Sequence, residues 1–267
     1  MSGGVLDAIV ASARRSAVER ARSSGRAIER AGAARSTAPL SLARALRQPG
    51  VRVIAECKRR SPSRGILRAA YDPAAIAAQY ERAGAAAISV LTEPAFFDGH
   101  LDHLMAVRQA VGVPIIRKDF IVNEFQVVEA RASGADAVLL IVAALNDSDL
   151  KDLVALAAAH QLDALVEAHD ADEVRRAVGA GATLVGVNSR DLRTLTVSDS
   201  VFTDVAPILP RGGIWVAESG IRTAEDIRRL RALGYSGFLI GERFMTAPHP
   251  GDALRAIVAA VEDAIAP

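Results

Sequence analysis

After residue 50 the chain repeats one pattern eight times: a short apolar run followed by a longer segment with apolar residues at helical spacing. The apolar runs predict strands at Val51–Glu56, Ala86–Leu91, Pro114–Arg117, Ala137–Ile141, Ala164–Glu167, Leu184–Val187, Ile214–Ala217 and Gly237–Ile240. The segments between them predict helices such as Asp72–Ala83, Phe125–Ser133, Asp147–His160, Asp170–Ala180 and Thr223–Leu233. Strands that alternate with helices in this way form a parallel sheet.

Residues with special backbone roles mark the ends of these helices. Helix N-caps are predicted at Asp72, Asp147, Asp170 and Thr223. Left-handed turns after helices are predicted at Gly84, Gly134, Gly181 and Gly234. Eight repeats favour an α/β fold in which the sheet closes into a single (β/α)8 TIM barrel. An open doubly wound sheet is the alternative, but it normally carries a glycine-rich fingerprint after the first strand, and this sequence has none.

Residues 1–48 stand outside the repeat and predict an N-terminal helical extension packed on the barrel, which then occupies residues 49–267. One apolar stripe of the extension consists of Leu6, Ile9, Val10 and Ala13. Arginines make the rest of this segment basic, so a helix that binds RNA is the alternative. Glu19 and Glu29 dilute the charge and no RNA-binding motif accompanies it, which favours a solvated helical extension.

Composition excludes several classes of protein. The 267 residues carry a net charge of +1 and only 4% aromatic residues, which gives no electrostatic or stacking case for binding nucleic acid. No apolar run is long and uncharged enough to span a bilayer, and Asp7 does not suit a secretory signal. The single cysteine rules out an internal disulfide. We therefore expect a cytoplasmic protein with no membrane, nucleic-acid or obligate protein partner.

The first predicted strand ends in charged residues. Glu56 and Lys58 are two residues apart, so in a strand both side chains point to the same face. Opposite charges at the end of a buried strand cost desolvation energy unless they are paired or used in a site. A loop built on Ser61, Pro62 and Ser63 follows and is long enough to cover such a site. The alternative is a salt-bridged strand end with an ordinary turn.

Polar residues follow most of the other predicted strands as well. Barrels of this kind place their chemistry at the carboxyl ends of the strands. The residues at those ends include Glu56, Lys58, Thr92, Glu93, Phe97, Lys118, Asp119, Phe120, Glu167, Asn188, Ser189, Arg190, Glu218, Ser219, Gly220 and Gly241. Two lysines and several glutamates thus converge on one mouth, an environment that adjusts a lysine pKa for proton donation. Contact with solvent explains any one such residue more easily than all of them together.

Glycines at the last two strand ends indicate a phosphate site. Ser219 and Gly220 follow the seventh predicted strand, and Gly241 follows the eighth. Backbone amides exposed at such junctions bind phosphate dianions, and barrels often hold a phosphate after strands seven and eight. The sequence therefore predicts a phosphorylated substrate.

Five segments together resemble one enzyme family. They are Glu-Cys-Lys-Arg-Arg-Ser-Pro-Ser-Arg-Gly at 56–65, Arg-Lys-Asp-Phe at 117–120, Leu-Val-Glu at 165–167, Val-Asn-Ser-Arg-Asp-Leu at 187–192 and Ala-Glu-Ser-Gly-Ile at 217–221. In this order, from about residue 50 to the end, the chain resembles indole-3-glycerol-phosphate synthase. A helical N-terminal extension is expected in that family. Arg60 departs from the family pattern, which usually has a small residue there.

The resemblance implies a substrate with an anthranilate ring, a ribulose-derived chain and a terminal phosphate, and a reaction that closes a pyrrole ring with loss of carbon dioxide and water. No metal or organic cofactor is expected. Lys118 is the candidate acid at the chain carbonyl, since charge builds on that oxygen during ring closure. Lys58 is expected to neutralise the substrate phosphate or carboxylate, and it is also a candidate for the dehydration step. Glu56 and Glu167 are the candidate acid and base of dehydration, in either order.

The remaining site residues are expected to bind and orient the substrate. Asn188 and Glu218 would orient hydroxyl groups, and Arg190 would bind the carboxylate. The expected apolar walls for the ring are Phe97, Phe120 and Leu192. The expected phosphate ligands are Ser219, Gly220 and Gly241. Ser61 and Ser63 are assigned to the covering loop.

Several other residues receive a structural interpretation. His100 and His103 have only Asp102 nearby, so a helix start is favoured over a zinc site. Cys57 lies between Glu56 and Lys58 in the strand, so it is predicted to point outward into packing. Glu242 follows a phosphate-type glycine, and its side chain is predicted to turn away from the anion.

Two other functions are compatible with a barrel of this kind. A phosphosugar isomerase such as phosphoribosylanthranilate isomerase would use an inward cysteine and an aspartate, whereas here Cys57 is predicted to face outward and the fifth strand ends in Glu167. A non-catalytic barrel that binds a phosphorylated ligand has no need of two lysines and two glutamates as proton donors and bases. Both alternatives are therefore less favoured than the synthase.

Overall fold

Eight parallel strands close into a barrel in the computed structural model, which describes residues 4–35 and 37–263. The strands are β1 (Arg52–Cys57), β2 (Ala87–Leu91), β3 (Ile115–Lys118), β4 (Ala137–Ile141), β5 (Asp163–Ala168), β6 (Leu184–Asn188), β7 (Ile214–Glu218) and β8 (Gly237–Ile240). Each strand pairs with its neighbours in chain order, and β1 pairs with β8 to close the ring. The predicted (β/α)8 barrel is therefore confirmed, and the open sheet is wrong.

Helices connect the strands and two helices precede them. They are α1 (Val5–Ala34), α2 (Leu42–Leu46), α3 (Pro73–Arg82), α4 (Pro94–Phe97), α5 (Leu101–Ala110), α6 (Glu124–Ser133), α7 (Asp147–Ala159), α8 (Ala171–Gly179), α9 (Ser200–Val205), α10 (Ala224–Ala232), α11 (Glu242–Met245) and α12 (Pro250–Glu262). Short 3-10 turns follow β4 at Val142–Ala144 and α9 at Ala206–Ile208. A two-stranded hairpin, Arg60–Ser61 with Gly65–Ile66, lies between β1 and α3.

The predicted helix caps agree with the structure at three of four positions. The side chains of Asp72, Asp170 and Thr223 each accept a backbone N–H in the first turn of α3, α8 and α10. The cap predicted at Asp147 is wrong by one residue, because the Asn146 side chain accepts the N–H of Asp149 and Asp147 is the first residue of α7. Gly134 ends α6 in the left-handed region with a φ of 99°, as predicted.

Alternate residues of the strands build two apolar layers. Ile54, Ile116 and Leu165 are buried inside the barrel, where they pack with residues of the other strands. Residues of opposite parity, such as Val53 and Cys57, are buried in the layer between the sheet and the surrounding helices. The outward orientation predicted for Cys57 is confirmed. Burial, followed by the nearby Glu56 carboxylate, raises the pKa of its thiol far above the ordinary value.

The N-terminal helix contacts both the helical layer and the barrel mouth. Leu6 and Ile9 of α1 are buried in the same cluster as the residues inside the barrel. Farther along α1, Arg20 donates two hydrogen bonds to Glu129 of α6, and Glu129 also lies 2.9 Å from the guanidinium of Arg117. A polar chain therefore links α1 to the residue that precedes Lys118.

The division into an extension at 1–48 and a barrel at 49–267 is our proposal for the organisation of the chain. Residues 1–3, 36 and 264–267 of these two segments lie outside the described residues. Within the described part, α1 and α2 precede the barrel and β1 begins at Arg52. Among the residues that the structure describes, no helix has the length and apolar character that crossing a membrane requires.

Candidate active site

A cavity of about 310 Å³ opens at the carboxyl ends of the barrel strands. All the residues predicted to act on or bind the substrate line it: Glu56, Lys58, Ser61, Ser63, Phe97, Lys118, Phe120, Glu167, Asn188, Arg190, Leu192, Glu218, Ser219, Gly220 and Gly241. Three other strand-end residues, Thr92, Glu93 and Ser189, do not line it, and the Glu93 carboxylate caps α4 instead. Lys58 and Lys118 therefore share one cavity although sixty residues separate them in the chain. The topology brings these residues together, because parallel strands of a barrel all end at the same rim.

Lys118, the last residue of β3, lies among carboxylates from other strands. Its Nζ donates a hydrogen bond of 3.3 Å to Oε2 of Glu167 on β5 and lies 3.7 Å from Oε2 of Glu218 on β7. Burial lowers the pKa of Lys118, but the surrounding carboxylates outweigh burial and raise it above the ordinary range. The ammonium is therefore charged and aimed into the cavity at neutral pH.

The two carboxylates beside Lys118 have opposite pKa shifts. Burial favours the neutral form of Glu167, but Lys118 and then His169 outweigh it, and its pKa falls far below the ordinary value. Burial, followed by the charge of Glu167, raises the pKa of Glu218 well above the ordinary value. Of the two carboxyl groups, Glu167 therefore keeps its negative charge more readily and Glu218 keeps a proton more readily. Two neighbouring carboxyl groups with separated pKa values can act as a base and an acid.

A second ion pair occupies the rim at β1. Lys58 and Glu56 are in direct contact, which confirms that the two side chains lie on the same face. Glu56 is buried, while the Lys58 side chain is 17% exposed. Gly241, directly after β8, lies against Glu56, since a Cβ at this position would overlap the Glu56 carboxylate. The absence of a side chain at residue 241 thus leaves room for a carboxylate at the cavity wall.

The predicted covering loop is the hairpin after β1. Ser61 is buried and Ser63 is exposed, and both line the cavity. Arg64, from the hairpin turn, donates two hydrogen bonds of 2.9 and 3.0 Å to Oε1 of Glu242. This contact joins the loop after β1 to the start of α11, on the opposite side of the β1–β8 junction.

The prediction that the Glu242 side chain turns away from the anion stays a prediction. Glu242 lines the cavity. Its charge is compensated by Arg64 and by Arg190, whose guanidinium lies 3.7 Å from Oε2 of Glu242. Burial raises the pKa of Glu242, but the hydrogen bond and charge of Arg64 outweigh it and lower the pKa below the ordinary value.

Aromatic and aliphatic side chains form one wall of the cavity. The rings of Phe97 and Phe120 lie 6.1 Å apart between centroids with an interplanar angle of 33°. Leu192 lines the same space from the loop after β6, and Leu139 and Leu239 line it from inside the barrel. This arrangement provides a flat apolar surface beside the charged groups, which suits an aromatic ring.

The loop after β7 has the backbone geometry of an anion site. Ser219 and Gly220 both adopt positive φ angles, of 66° and 72°, so consecutive residues lie in the left-handed region. Successive peptide groups in such turns expose their N–H groups in one direction. Arg222 and Arg243 line the cavity next to the predicted phosphate ligands. Positive charge and exposed amides therefore meet at one end of the cavity.

Comparison with known proteins identifies the family. The family model for indole-3-glycerol phosphate synthase matches residues 6–257. A protein of that name from Mycolicibacterium gilvum is 47% identical over 97% of this chain and 95% of its own length. Another from Nocardioides sp. is 50% identical over 94% of this chain and 96% of its own length. This chain belongs to the indole-3-glycerol phosphate synthase family.

Solved structures with lower identity share the fold of this synthase-family chain. A thiamine phosphate pyrophosphorylase from Pyrococcus furiosus superposes with a TM-score of 0.62 and 17% identity, covering 81% of this chain and 98% of its own. A KGPDC from Streptococcus mutans superposes with a TM-score of 0.63 and 12% identity, covering 82% of this chain and 100% of its own. At these identities the likeness concerns the barrel alone.

Some residues of this synthase-family site were missed from the sequence. His169 is absent from the predicted site residues, yet its Nε2 lies 3.2 Å from Oε1 of Glu167. The signal was present, because residues 167 and 169 are two apart, like Glu56 and Lys58.

In the described part of the chain no cluster of His, Cys, Asp or Glu could hold a metal ion. His100 caps α5, in agreement with the helix start predicted there.

Gly186 of β6 supplies a test of how closely the site is packed. A Cβ at this position would overlap the Glu218 carboxylate. Gly186→Ala is therefore expected to displace Glu218 and lower kcat by about 100-fold, a typical effect of shifting a catalytic group by about 1 Å. Steady-state kinetics on the synthase substrate measures the effect. Gly179→Ala, at a position with nothing within 4 Å of an added Cβ, is the matched control. Equal activity in the two variants contradicts the prediction.

Proposed function

We propose that the chain catalyses the indole-3-glycerol phosphate synthase reaction as a carboxy-lyase of tryptophan biosynthesis. Its substrate would be 1-(2-carboxyphenylamino)-1-deoxyribulose 5-phosphate, and its products indole-3-glycerol phosphate, carbon dioxide and water. The observation that carries the proposal is the position of Lys118 between Glu167 and Glu218 at the base of the cavity. Family membership and the aromatic and cationic ends of the cavity support it.

Ring closure is the first step of the proposed mechanism. The ring carbon that bears the carboxylate attacks the carbonyl carbon of the sugar chain, and negative charge develops on the carbonyl oxygen. Lys118 is assigned to donate a proton to that oxygen, since it is charged and points into the cavity. A buried ammonium held in place before the reaction stabilises developing charge better than a solvated group does.

Decarboxylation follows from the tetrahedral ring carbon. The bond to the carboxylate breaks, carbon dioxide leaves, and its bonding electrons restore the aromatic ring. This step requires positioning more than acid–base help. Arg190 and Lys58 are assigned to hold the carboxylate until it leaves, because both are cations that line the cavity.

Dehydration completes the pyrrole. The hydroxyl formed in the first step leaves as water with a proton from an acid, and a base removes a proton from the neighbouring carbon so that the double bond forms. Glu167, whose pKa lies far below the ordinary value, is assigned as the base. Glu218, whose pKa is raised by burial and then by the charge of Glu167, now joins Glu56 as a candidate acid. Asn188, beside Glu167, is assigned to orient a hydroxyl.

The rest of the substrate fits the remaining cavity. The anthranilate ring is placed against Phe97, Phe120 and Leu192, and the phosphate at the backbone of Ser219, Gly220 and Gly241. Ser61 and Ser63 would close over the substrate from the hairpin. The proton transfers need only side chains of the chain itself, so the proposal includes no organic cofactor and no metal. It places the reaction in the cytoplasm, with a phosphorylated small molecule as the partner and no nucleic acid or obligate protein partner.

The isomerase alternative lacks the cysteine of its acid–base pair at the cavity. The thiol of Cys57 is fully buried in the outer layer, with a strongly raised pKa. A Cys–Asp pair at the mouth would require this side chain to point inward, toward Lys118, and it points the other way.

Incubation of the purified chain with the carboxyphenylamino-deoxyribulose phosphate tests the function directly. Indole absorbance should rise in step with carbon dioxide release, and mass spectrometry should find a product lighter by one carbon dioxide and one water. In a parallel reaction phosphoribosylanthranilate should stay unchanged. Isomerisation of phosphoribosylanthranilate, or binding of the synthase substrate without turnover, would sink the proposal.

A further inference from the structure

A row of three titratable side chains extends from the candidate base away from the cavity. Oε1 of Glu167 lies 3.2 Å from Nε2 of His169. On the other side of the imidazole, Nδ1 lies 2.9 Å from Oε2 of Glu173. The His169 and Glu173 side chains are only 12% and 11% exposed. An imidazole between two carboxylates at these distances is held in one orientation and favours its doubly protonated form.

Glu173 is itself fixed by the start of α8. Its Oε2 also accepts the backbone N–H of His169 at 2.8 Å, and its own N–H is donated to the Asp170 side chain. The carboxylate is therefore tied to the turn that leads from β5 into α8. The same turn sets the position of the imidazole relative to Glu167, since residues 167 and 169 lie on the same side of the chain.

Because of this row, the two carboxyl groups beside Lys118 differ in the number of cations that they contact. Glu167 meets a cation at each oxygen, Lys118 at Oε2 and the imidazole at Oε1. Among the described residues, Glu218 has one cation within ion-pair distance, Lys118 at 3.7 Å. Oε1 of Glu167 and both oxygens of Glu218 lack a hydrogen-bond partner there. Two adjacent buried carboxyl groups cannot both be ionised easily, and the better-paired one keeps the charge.

We propose that His169, held by Glu173, is a positioning residue that keeps Glu167 ionised and leaves the shared proton on Glu218. This role rests on the proposed function, because it decides which of the two carboxyl groups can accept a proton from the substrate. Removal of His169 would change the charge distribution of the site as well as its packing, whereas removal of a merely structural histidine would change only the packing.

Other charged groups face this row and act on it. Lys118 faces Glu167 from β3, Glu218 faces it from β7, and Glu56 adds negative charge from β1. Asp170, Asp191 and Arg193 line a smaller cavity that also contacts His169 and Glu173. Burial lowers the pKa of His169, but Glu167 and Glu173 outweigh it and raise the pKa to about 10. The imidazole therefore stays a cation across the neutral range.

His169→Gln tests the proposal through the pH dependence of kcat. Glutamine retains a hydrogen-bond donor but loses the positive charge, so the pKa of Glu167 rises and the acid limb of the profile moves to higher pH. The expected move is about 1 pH unit or more, the usual effect of one adjacent opposite charge. Glu173→Gln should move the limb in the same direction by less, because the imidazole then binds its proton less tightly. An acid limb that stays in place in both variants would overturn the proposal.

A matched variant and a second readout guard against loss of fold. His160→Gln replaces a histidine at the end of α7, at the opposite end of the barrel, and should leave the profile unchanged. In ¹⁵N-histidine-labelled protein, the signal lost in His169→Gln should be doubly protonated at pH 8, well above the ordinary histidine pKa of about 6.5. A neutral imidazole at pH 7 would overturn the proposal. Absence of turnover in the unmodified chain would instead sink the proposed function, while the NMR measurement still reports on His169.

Discussion

Replacing Lys118 with methionine is expected to lower kcat by about 1000-fold or more while the chain stays folded. General acids contribute about 10²- to 10⁴-fold, and a buried charge aimed at a developing oxyanion adds to that. Methionine keeps the unbranched apolar stem of lysine and removes only the charge. Because Lys118 is assigned to act in the transition state, kcat and kcat/KM should fall together.

The chain offers a matched control for this substitution. Lys151 lies exposed on α7, so Lys151→Met should leave both constants unchanged. Circular dichroism and thermal unfolding separate loss of chemistry from loss of fold. A Lys118→Met variant with normal kcat and a raised KM would make Lys118 a binding residue and would remove the acid from the proposed mechanism.

The second large effect is expected for Glu167→Gln. Glutamine has nearly the same shape, but it cannot accept a proton, so kcat should fall by about 10²- to 10⁴-fold. The substitution also removes the first of the carboxylates that outweigh burial at Lys118, so the pKa of Lys118 should fall. The alkaline limb of any residual activity should therefore move to lower pH. Kinetics between pH 6 and pH 10 measures both effects.

Parallel variants assign the remaining carboxyl groups. Glu19→Gln, on the exposed face of α1, serves as the control and should not alter the profile. Glu56→Gln and Glu218→Gln compare the two candidate acids of dehydration. Only the variant that has lost the true acid should accumulate the hydroxyl intermediate. Full activity of Glu167→Gln would show that the base lies elsewhere.

The fold could be predicted because the repeat is strong and the caps are local. Aspartate at residue 72 and threonine at residue 223 each accept a hydrogen bond within their own first helical turn, so a few residues decide the boundary. The cap at Asn146 was placed one residue late because Asn146 and Asp147 are both good capping residues. Side-chain type alone does not rank two adjacent candidates.

The location of the site was predictable for a topological reason. Parallel strands bring all their carboxyl ends to one rim, so residues such as Glu56 and Glu218 meet without any knowledge of side-chain conformation. The roles of those residues, by contrast, depend on distances that a sequence does not contain. Contacts of 3 to 4 Å with Lys118 and His169 outweigh burial and lower the pKa of Glu167, whereas burial and then the charge of Glu167 raise the pKa of Glu218.

The charge compensation of Glu242 could not be predicted because the compensating charges come from distant parts of the chain. Arg64 lies 178 residues earlier, in the hairpin after β1, and Arg190 lies in the loop after β6. A carboxylate near an anion site is unfavourable when it is considered alone. Two guanidinium groups change the sign of the local charge, and only the folded chain brings them together.

The concealment of Cys57 makes the molecule convenient to label. The chain has one native thiol, fully covered by the outer layer and held in its unreactive protonated form. A cysteine introduced at Ile66, on the exposed side of the hairpin, would therefore be the sole group open to a maleimide dye. Fluorescence from that dye would follow hairpin movement in real time without removal of the native cysteine.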